Sequence, residues 1–207
     1  SILMNKEVSK KIFNSLGVNT PVSVNLDQIK KKKTNFPLII KPVSGGSSNG
    51  LVKVNNANEL DLFLKEHKYN EKSYIYENFI NGREITVGIL DNKVCGIMEI
   101  VFDSELYDYK NKYIQIADHI INPQIPSHIK EKLLKISIDV HKGTGCNCIS
   151  RLDFRYEEQK DEVFLLEVNT QPGLTQNSLL PEMAKNNGIN FNELCKILIE
   201  NSICENL

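Results

Sequence analysis

Apolar side chains recur every three or four positions in several segments of the chain, a spacing typical of helices with one buried face. The first helix is predicted over residues 4–16, where Gly17 supplies a natural end. The other helices are predicted over residues 57–69, 127–140, 178–187 and the stretch that follows residue 190. We expect Ser127 to cap the third of these helices, and Asn190, with Glu193 three positions later, to cap the last.

Apolar runs and apolar–polar alternation predict strands between these helices. They cover residues 36–43, 51–54, 73–80, 84–90, 94–102, 148–156 and 163–169. The first two flank a loop of glycine and serine, 44–50, and so predict a hairpin with a mobile tip. Asp91 and Asn92 predict a tight turn, whereas residues 103–126 lack periodicity and are expected to be irregular. This order of elements predicts an α+β fold of two lobes with largely antiparallel sheets.

The composition argues against several classes of protein. The 207 residues carry 25 basic and 26 acidic side chains, a net charge of -1, so no bulk binding of nucleic acid or of an anionic membrane is expected. No apolar run approaches the roughly 20 residues of a membrane span, and the first residues lack the apolar segment of a secretory signal. The five cysteines, an odd number, suit reduced thiols in a cytoplasmic protein better than a disulfide framework.

The strongest candidate for chemistry is a pair of strands with polar residues on one face. Side chains alternate across a strand, so Arg151 and Asp153 share a face, as do Glu167 and Asn169. If the strands pair around the charged turn at 157–161, two carboxylates and an amide come together beside the arginine. Such oxygen donors suit Mg²⁺ bound next to phosphates and water. A solvated strand face with an Arg–Asp pair is the alternative interpretation.

Two further segments have features of a nucleotide site. Lys41 ends an apolar strand ahead of loop 44–50, and a lysine beside exposed backbone N–H groups suits phosphate oxygens. The spacing is not that of a Walker motif, and a flexible hairpin tip is the alternative. A later strand leads to Phe79 and Ile80, which offer apolar faces to an aromatic base, and Glu84 can accept hydrogen bonds from ribose hydroxyls. A plain core strand is the alternative there.

Two loops complete the set of candidates. The tyrosine-rich residues 106–113 lie in the long irregular segment, where functional lids tend to occur, although a surface loop is the alternative. Residues 169–175 form a turn that contains a glycine and feeds the helix near residue 178. A helix N-terminus is a ready site for an anion, so a substrate carboxylate would suit this position.

The order and spacing of these motifs resemble the ATP-grasp superfamily and, within it, the D-alanine–D-alanine ligase family. The most specific motifs are residues 41–50, 82–84, 107–109 with 112–113, 150–153, and 167–175 with 178–179. The resemblance spans nearly the whole chain. The segments that it implies are a leading helix in 1–20, a central lobe over 21–81 with phosphate loop 44–50, and a C-terminal lobe over 82–207 with a lid at 103–118 and the metal site.

The resemblance implies that ATP lies between the two lobes, with two Mg²⁺ or Mn²⁺ ions at its phosphates. The residues that it implies for ATP are Lys6, Lys41, Ser48, Glu77, Phe79, Ile80, Glu84, Lys112 and Leu166. The implied metal ligands are Asp153, Glu167 and Asn169. Strand alternation, by contrast, predicts that Leu166 and Val168 point toward the core, which conflicts with contact between Leu166 and ATP.

The implied reaction joins two D-alanines through a D-alanyl phosphate in peptidoglycan precursor synthesis. Arg151 and the backbone N–H of Gly173 are expected to stabilise the oxyanion of the tetrahedral intermediate. Ser178 and Leu179 are expected to hold the carboxylate of the second D-alanine. Lid closure would keep water away from the acyl phosphate.

The phosphate loop and the lid carry both matches and departures. Ser47 and Tyr113 are implied to join the loop to the closed lid, and Tyr113 after Lys112 matches the ligases that form a dipeptide. Gly45 stands where the family usually has a glutamate, and Asn49 replaces a common small apolar residue. These departures affect the expected dynamics of the loop more than the expected chemistry.

The family also has a preceding N-terminal domain that supplies part of the first D-alanine site, and no segment here matches it. We therefore expect this chain alone to bind Mg·ATP but to ligate little, with the N-terminal domain as its missing partner and a homodimer as the complete form. Two alternatives stay open: another ATP-grasp carboxylate–amine ligase with a different substrate, and a non-enzymatic nucleotide-binding module.

Overall fold

The computed structural model describes residues 2–30, 35–46, 49–67, 73–102 and 117–202. A short 3₁₀ helix, Ile2–Met4, precedes the regular elements. These are α1 (Lys6–Ser15), α2 (Leu26–Lys30), β1 (Leu38–Pro42), β2 (Val52–Val54), α3 (Ala57–Glu66), β3 (Tyr74–Asn78), β4 (Arg83–Leu90), β5 (Lys93–Val101), β6 (Asp118–Ile121), α4 (Ser127–Gly143), β7 (Ile149–Glu157), β8 (Glu162–Asn169), α5 (Leu179–Asn186) and α6 (Phe191–Glu200). The strand pairings among the described residues are antiparallel, in agreement with the predicted α+β class.

The smaller sheet has three strands in the order β2-β1-β3. β1 and β2 form the predicted hairpin, with Leu38 opposite Val54. Leu38 and Ile40 point to the same face, where they pack with Leu60 and Phe63 of α3 in one buried cluster. Side chains alternate along a strand, so Lys41 of β1 and Glu77 of β3 lie on the opposite face.

The larger sheet has five strands in the order β6-β5-β4-β7-β8. Helix α4 covers one of its faces. Ile85, Leu152 and Phe154 are completely buried there, together with Ile129 and Leu133 of α4. Because successive side chains alternate, Glu84 and Thr86 of β4 and Arg151, Asp153 and Arg155 of β7 lie on the other face of this sheet.

Helix α5 covers one end of that other face. Gly88 of β4 is paired with Gly96 of β5, and a Cβ at either position would lie within 3 Å of the Met183 side chain on α5, at 2.9 and 2.7 Å. The two glycines therefore allow α5 to pack close to the sheet. The remainder of the face stays open toward the smaller sheet.

Helix α1 contacts both sheets. Its Phe13 is completely buried in the core beneath α4. At its N-terminal end, the backbone N–H of Lys6 donates to the Val43 carbonyl, just beyond β1, at 2.8 Å. The side-chain oxygen of Asn5 caps the helix by accepting from the backbone N–H groups of Glu7 and Val8. This helix therefore fixes the two sheets relative to each other through one short element.

Three local predictions differ from the structure. β6 lies within the segment predicted to be irregular, because its pairing with β5 is a long-range contact that local periodicity does not encode. α2 was not predicted, although Asn25 and Gln28 form the reciprocal side-chain-to-backbone bonds of a capping box, at 2.7 and 3.1 Å. The predicted cap at Ser127 is wrong: Pro126 is the N-cap residue of α4, and no side chain caps that end.

Other local predictions are confirmed. Asp91 and Asn92 both have positive φ angles, 51° and 58°, as a tight turn between β4 and β5 requires. Asn190 caps α6 by accepting from the backbone N–H of Glu193 at 3.0 Å. Both motifs were predictable because they depend on contacts within a few residues.

The described cysteines Cys95, Cys146, Cys148 and Cys195 are free thiols, as expected. Burial raises the pKa of Cys95 to about 12, so this thiol stays protonated at neutral pH. In the part of the chain that the structure describes, no helix has both the length and the apolar character needed to cross a bilayer.

Candidate active site

A cleft between the two sheets brings together most of the described residues for which a role was predicted. It is lined by residues of α1, of the loop after β1, of β3 and the segment that follows it, and of β4, β7 and β8. The predicted residues in its lining are Lys6, Lys41, Glu77, Phe79, Ile80, Glu84, Asp153, Leu166 and Glu167. These residues are distant in sequence, so the fold, rather than any local motif, assembles the cleft.

One wall of the cleft contains a buried ion-pair network. Glu77 of β3 is opposite Ile39 of β1, so its side chain lies diagonally next to that of Lys41 on the same face. The Lys41 ammonium is 2.7 Å from Oε2 of Glu77, and the Lys10 ammonium pairs with Oε1 of the same carboxylate. Burial alone would raise the pKa of Glu77, but Lys41 and Lys10 outweigh it and hold that pKa below its usual value.

Lys6 adds a third ammonium to this region. Its Nζ donates to the carbonyl of Gly45 in the glycine-serine loop at 2.9 Å. Burial lowers the pKa of Lys6, the nearby charge of Glu167 raises it, and the charge of Lys41 lowers it further, with a net decrease. The cations of α1 and β1 therefore face a carboxylate of β8 across the cleft.

Asp153 lies at the centre of a polar cluster on the larger sheet. Arg151 holds it with two hydrogen bonds of 2.9 Å, Nε to Oδ1 and Nη2 to Oδ2. Thr86 of β4 donates its hydroxyl to Oδ1 at 2.7 Å, and Asn169 donates its amide to Oδ2 at 2.9 Å. These bonds fix the orientation of a carboxylate that is almost completely buried.

The predicted metal ligands lie close together, as expected from pairing of the two strands and alternation of their side chains. Asp153 is opposite Glu167, and Arg151 is opposite Asn169, in the ladder between β7 and β8. Within the described residues no group of three or more His, Cys, Asp or Glu side chains is arranged to hold a metal ion. Two carboxylates and one amide nevertheless fit Mg²⁺, which is usually held by one or two carboxylates while substrate phosphates and water supply the other ligands.

The disagreement over Leu166 is resolved by an irregularity in β8. Asp153 is opposite Glu167, but the next residue, Phe154, is opposite Leu165, so Leu166 has no partner in the ladder. Such a bulge interrupts the alternation of side chains. Leu166 and Glu167 both line the cleft as a result, and the prediction that alternation turns Leu166 into the core is wrong.

Glu84 is paired with a residue that the sequence argument missed. Arg155 is buried and places Nη2 3.1 Å from Oε2 of Glu84, while its Nη1 donates to the Gly82 carbonyl at 2.7 Å. Arg155 shares the strand face of Arg151 and Asp153, so alternation along β7 was a usable signal for it. Lys10, on helix α1, had no comparable signal.

Asn78 is another missed residue in the cleft lining. Its Oδ1 atom is buried and accepts no hydrogen bond from the described residues. Because Asn78 is opposite Leu38 in the ladder, its side chain belongs to the face of β3 that packs under α3, so this acceptor is not directed at a ligand in the cleft. Phe79 and Ile80, which follow it, supply apolar contacts to the cleft.

The residues predicted for the second amino acid lie outside this cleft lining. Ser178 is the N-cap residue of α5, and its hydroxyl oxygen accepts from the Thr175 backbone N–H at 3.1 Å. A Cβ at Gly173 would lie 2.8 Å from the same oxygen. Leu179 is buried in the apolar cluster under α5, so any polar contact it makes would use its backbone N–H.

Four predicted residues, Ser47, Ser48, Lys112 and Tyr113, lie outside the described residues, as does most of the predicted lid. Their roles stay predictions. The described part of the phosphate loop includes Gly45, whose φ of 129° is a conformation that favours glycine. This backbone conformation fits the glycine found where the resemblance leads one to expect a glutamate.

Comparison with known proteins agrees with the geometry. A family model described as D-ala D-ala ligase C-terminus matches residues 10–200. The chain belongs to this family. The D-alanine--D-alanine ligase of Wolbachia pipientis subsp. Culex pipiens (strain wPip) is 40% identical over 210 residues, which cover 98% of this chain and 66% of that relative.

Solved structures show the same fold. The D-alanine--D-alanine ligase from Bacillus anthracis, complexed with ATP, superposes with a TM-score of 0.80 at 31% identity, covering 97% of this chain and 66% of that protein. The VanG D-Ala:D-Ser ligase from Enterococcus faecalis gives a TM-score of 0.80 at 28% identity, with coverages of 98% and 62%. The predicted ATP-grasp fold is thereby confirmed, and the chain spans about two thirds of the length of these relatives.

Proposed function

We propose that the cleft between the two sheets binds ATP and divalent metal, and that it serves the ligation of two D-alanines through a D-alanyl phosphate, a step of peptidoglycan precursor synthesis. The observation that carries the proposal is the placement of opposite charges on the two walls. Lys6 and Lys41 lie on one wall and Asp153 and Glu167 on the other. A polyphosphate with bound Mg²⁺ complements both walls at once.

The residues divide the work of phosphoryl transfer by charge. Lys6 and Lys41 would neutralise phosphate oxygens, while Asp153, Glu167 and Asn169 would hold two Mg²⁺ ions. Bound Mg²⁺ would draw charge from the transferring phosphoryl group. The carboxylate of the first D-alanine would attack the γ-phosphorus and release ADP, and the amine of the second would then attack the acyl carbon and release phosphate.

Arg151 and the turn before α5 would serve the second step. Arg151 keeps a side-chain exposure of 12%, and Asp153 holds its guanidinium in a fixed orientation. A fixed cation is suited to stabilising a developing oxyanion, because little reorganisation is needed. We propose that the N–H of Gly173 shares this role, and that Ser178 and the N–H of Leu179 bind the second carboxylate.

The adenosine part of the proposal rests on the segment after β3. Asn78, Phe79 and Ile80 line the cleft beside Glu84. The Glu77 side chain is 3% exposed and is bound by two lysines, so we assign it to the phosphate-binding wall and leave contact with adenine to its backbone. This assignment refines the role that the resemblance implies for Glu77.

Binding of Mg·ATP can be measured by titration calorimetry with this chain. We expect Glu167→Gln to weaken ATP binding at least about tenfold in the presence of Mg²⁺ and only slightly in its absence. Glu131→Gln, a matched change at an exposed position of α4, should leave both affinities unchanged. If Glu167→Gln had the same small effect with and without Mg²⁺, the metal-site proposal would be wrong.

Catalytic turnover needs a test separate from ATP binding, because the relatives contain sequence beyond the region that this chain matches. We propose that this chain ligates little by itself, and that a complete ligase is a cytoplasmic homodimer. Phosphate release can be compared for the chain alone and for a longer protein that supplies the relatives' additional domain. A panel of acceptors that includes D-alanine, D-serine and D-lactate would separate the proposed dipeptide ligase from other carboxylate–amine ligases.

A further inference from the structure

A buried lysine lies behind the phosphate-binding wall, where it does not line the cleft. Lys10 of α1 is 7% exposed, and its ammonium donates to the Pro21 carbonyl at 2.5 Å and pairs with Glu77. Lysine is among the residues least often buried completely, since removing its charge from water is costly. Burial lowers the pKa of Lys10 in spite of the attraction of Glu77.

The position of Lys10 matters because Glu77 has two lysine partners. Oε1 pairs with Lys10, and Oε2 lies 2.7 Å from Lys41, which does line the cleft. One carboxylate shared by two ammonium groups leaves a net charge of +1 on the three side chains. Without Lys10, the full charge of Glu77 would fall on Lys41, and the pair would be neutral.

We propose that Lys10 is a positioning residue that balances the charge of Glu77, so that Lys41 keeps an uncompensated positive charge directed at the phosphates of the nucleotide. Glu77 then fixes the Lys41 ammonium in place without cancelling its charge. Lys10 touches no ligand and acts only through Glu77. This inference rests on the proposed binding of ATP in the cleft, and it assigns a role to a residue beyond the lining.

The alternative is that Lys10 merely ties α1 to the segment around Pro21. The two roles differ in what they predict for ligands with and without phosphates. If Lys10 acts by charge, its loss weakens ATP binding and leaves adenosine binding unchanged. Removing the Glu77 charge as well should then reverse the loss, because there is no longer a charge to balance.

The test measures dissociation constants of Mg·ATP and of adenosine for the chain and its variants. We expect Lys10→Met to weaken ATP binding at least about tenfold while adenosine binding changes less than about twofold. The double variant Lys10→Met/Glu77→Gln should bind ATP within about threefold of the unmodified chain, because the three side chains carry a net charge of +1 in both. Lys11→Met, an equivalent change at the neighbouring exposed position, should have no effect.

Equal weakening of ATP and adenosine by Lys10→Met, or the absence of rescue in the double variant, would overturn the inference while leaving ATP binding by the unmodified chain intact. If the unmodified chain failed to bind ATP, the proposed function itself would fall. If Lys10→Met did not fold, the comparison of the double variant with the unmodified chain would decide alone: a tenfold difference in ATP affinity between them contradicts the charge-balance role.

Discussion

Substitution of Gly82 tests how closely the segment between β3 and β4, which links the two sheets, packs on the larger sheet. This residue lies between β3 and β4 and has a φ of 155°. A Cβ at this position would lie 2.1 Å from the Tyr156 carbonyl oxygen and 2.7 Å from its carbonyl carbon. Both atoms belong to the backbone of β7, so no side-chain rotation can relieve the clash. We therefore expect Gly82→Ala to force the link away from β7.

The size of the effect follows from the contacts that such a shift breaks. Real Cβ atoms stay at least 3.0 Å from such neighbours, so the backbone must move by roughly 1 Å. That movement would weaken the Arg155 hydrogen bond to the Gly82 carbonyl and the pairing of Arg83 with Tyr156. Two hydrogen bonds at about 1 kcal/mol each, with backbone strain of about 1–2 kcal/mol, give a loss of about 3–4 kcal/mol in unfolding free energy.

Urea denaturation followed by circular dichroism measures this loss, with Gly145→Ala as the matched control. Gly145 has a φ of 70°, but a Cβ there would meet no atom within 4 Å. Gly145→Ala should therefore lower the free energy of unfolding only by the strain of placing alanine in a left-handed conformation, about 1 kcal/mol. If the two variants lost equal stability, the close packing of the link against β7 would be refuted.

Three further predictions concern ion pairs and a helix cap. A double-mutant cycle with Glu84→Gln and Arg155→Met should give a coupling energy of about 2 kcal/mol in urea unfolding, since both side chains are buried; a coupling below about 0.5 kcal/mol would contradict it. Because the pKa of Glu77 is lowered in the fold, its charge stabilises above the unfolded value of 4.5, and this contribution is lost as pH falls through the lower folded pKa. The stability difference between wild type and Glu77→Gln should therefore shrink as pH falls from about 5 to 3, and a constant difference would refute this. Asn190→Ala should cost about 1 kcal/mol through loss of the α6 cap, which thermal unfolding can detect against the exposed control Asn186→Ala.

Several features that depend on neighbouring residues were predictable from the sequence, although the wrong cap at Ser127 and the unpredicted α2 show that local patterns do not suffice everywhere. The Asp91–Asn92 turn and the Asn190 cap needed only local rules. The pairing of Asp153 with Glu167 followed from alternation across one hairpin. β6 and the bulge at Leu166 were missed because both depend on which strand lies alongside, which a periodicity of two cannot express.

The same distinction applies to the candidate site. Arg155 could have been found, since it shares a strand face with Arg151 and Asp153. Lys10 could not, because only the docking of α1 against β3 brings its ammonium to Glu77. The motifs that carried the resemblance include residues of the cleft lining such as Lys41, Glu84 and Asp153, whereas Lys10 lies behind the lining and belongs to none of them.

Helix α1 has a consequence for how the molecule opens. Phe13 is part of the core of the larger sheet, while Lys6 and Lys10 bind groups of the smaller sheet and its loop. The amide hydrogens in the middle of this helix exchange with solvent when its backbone hydrogen bonds open, and the contacts with both sheets oppose that opening. Their exchange rates should therefore report how firmly the helix holds both sheets. If nucleotide binds across the cleft, as proposed, exchange that needs the cleft to separate should slow by a factor that rises with nucleotide concentration.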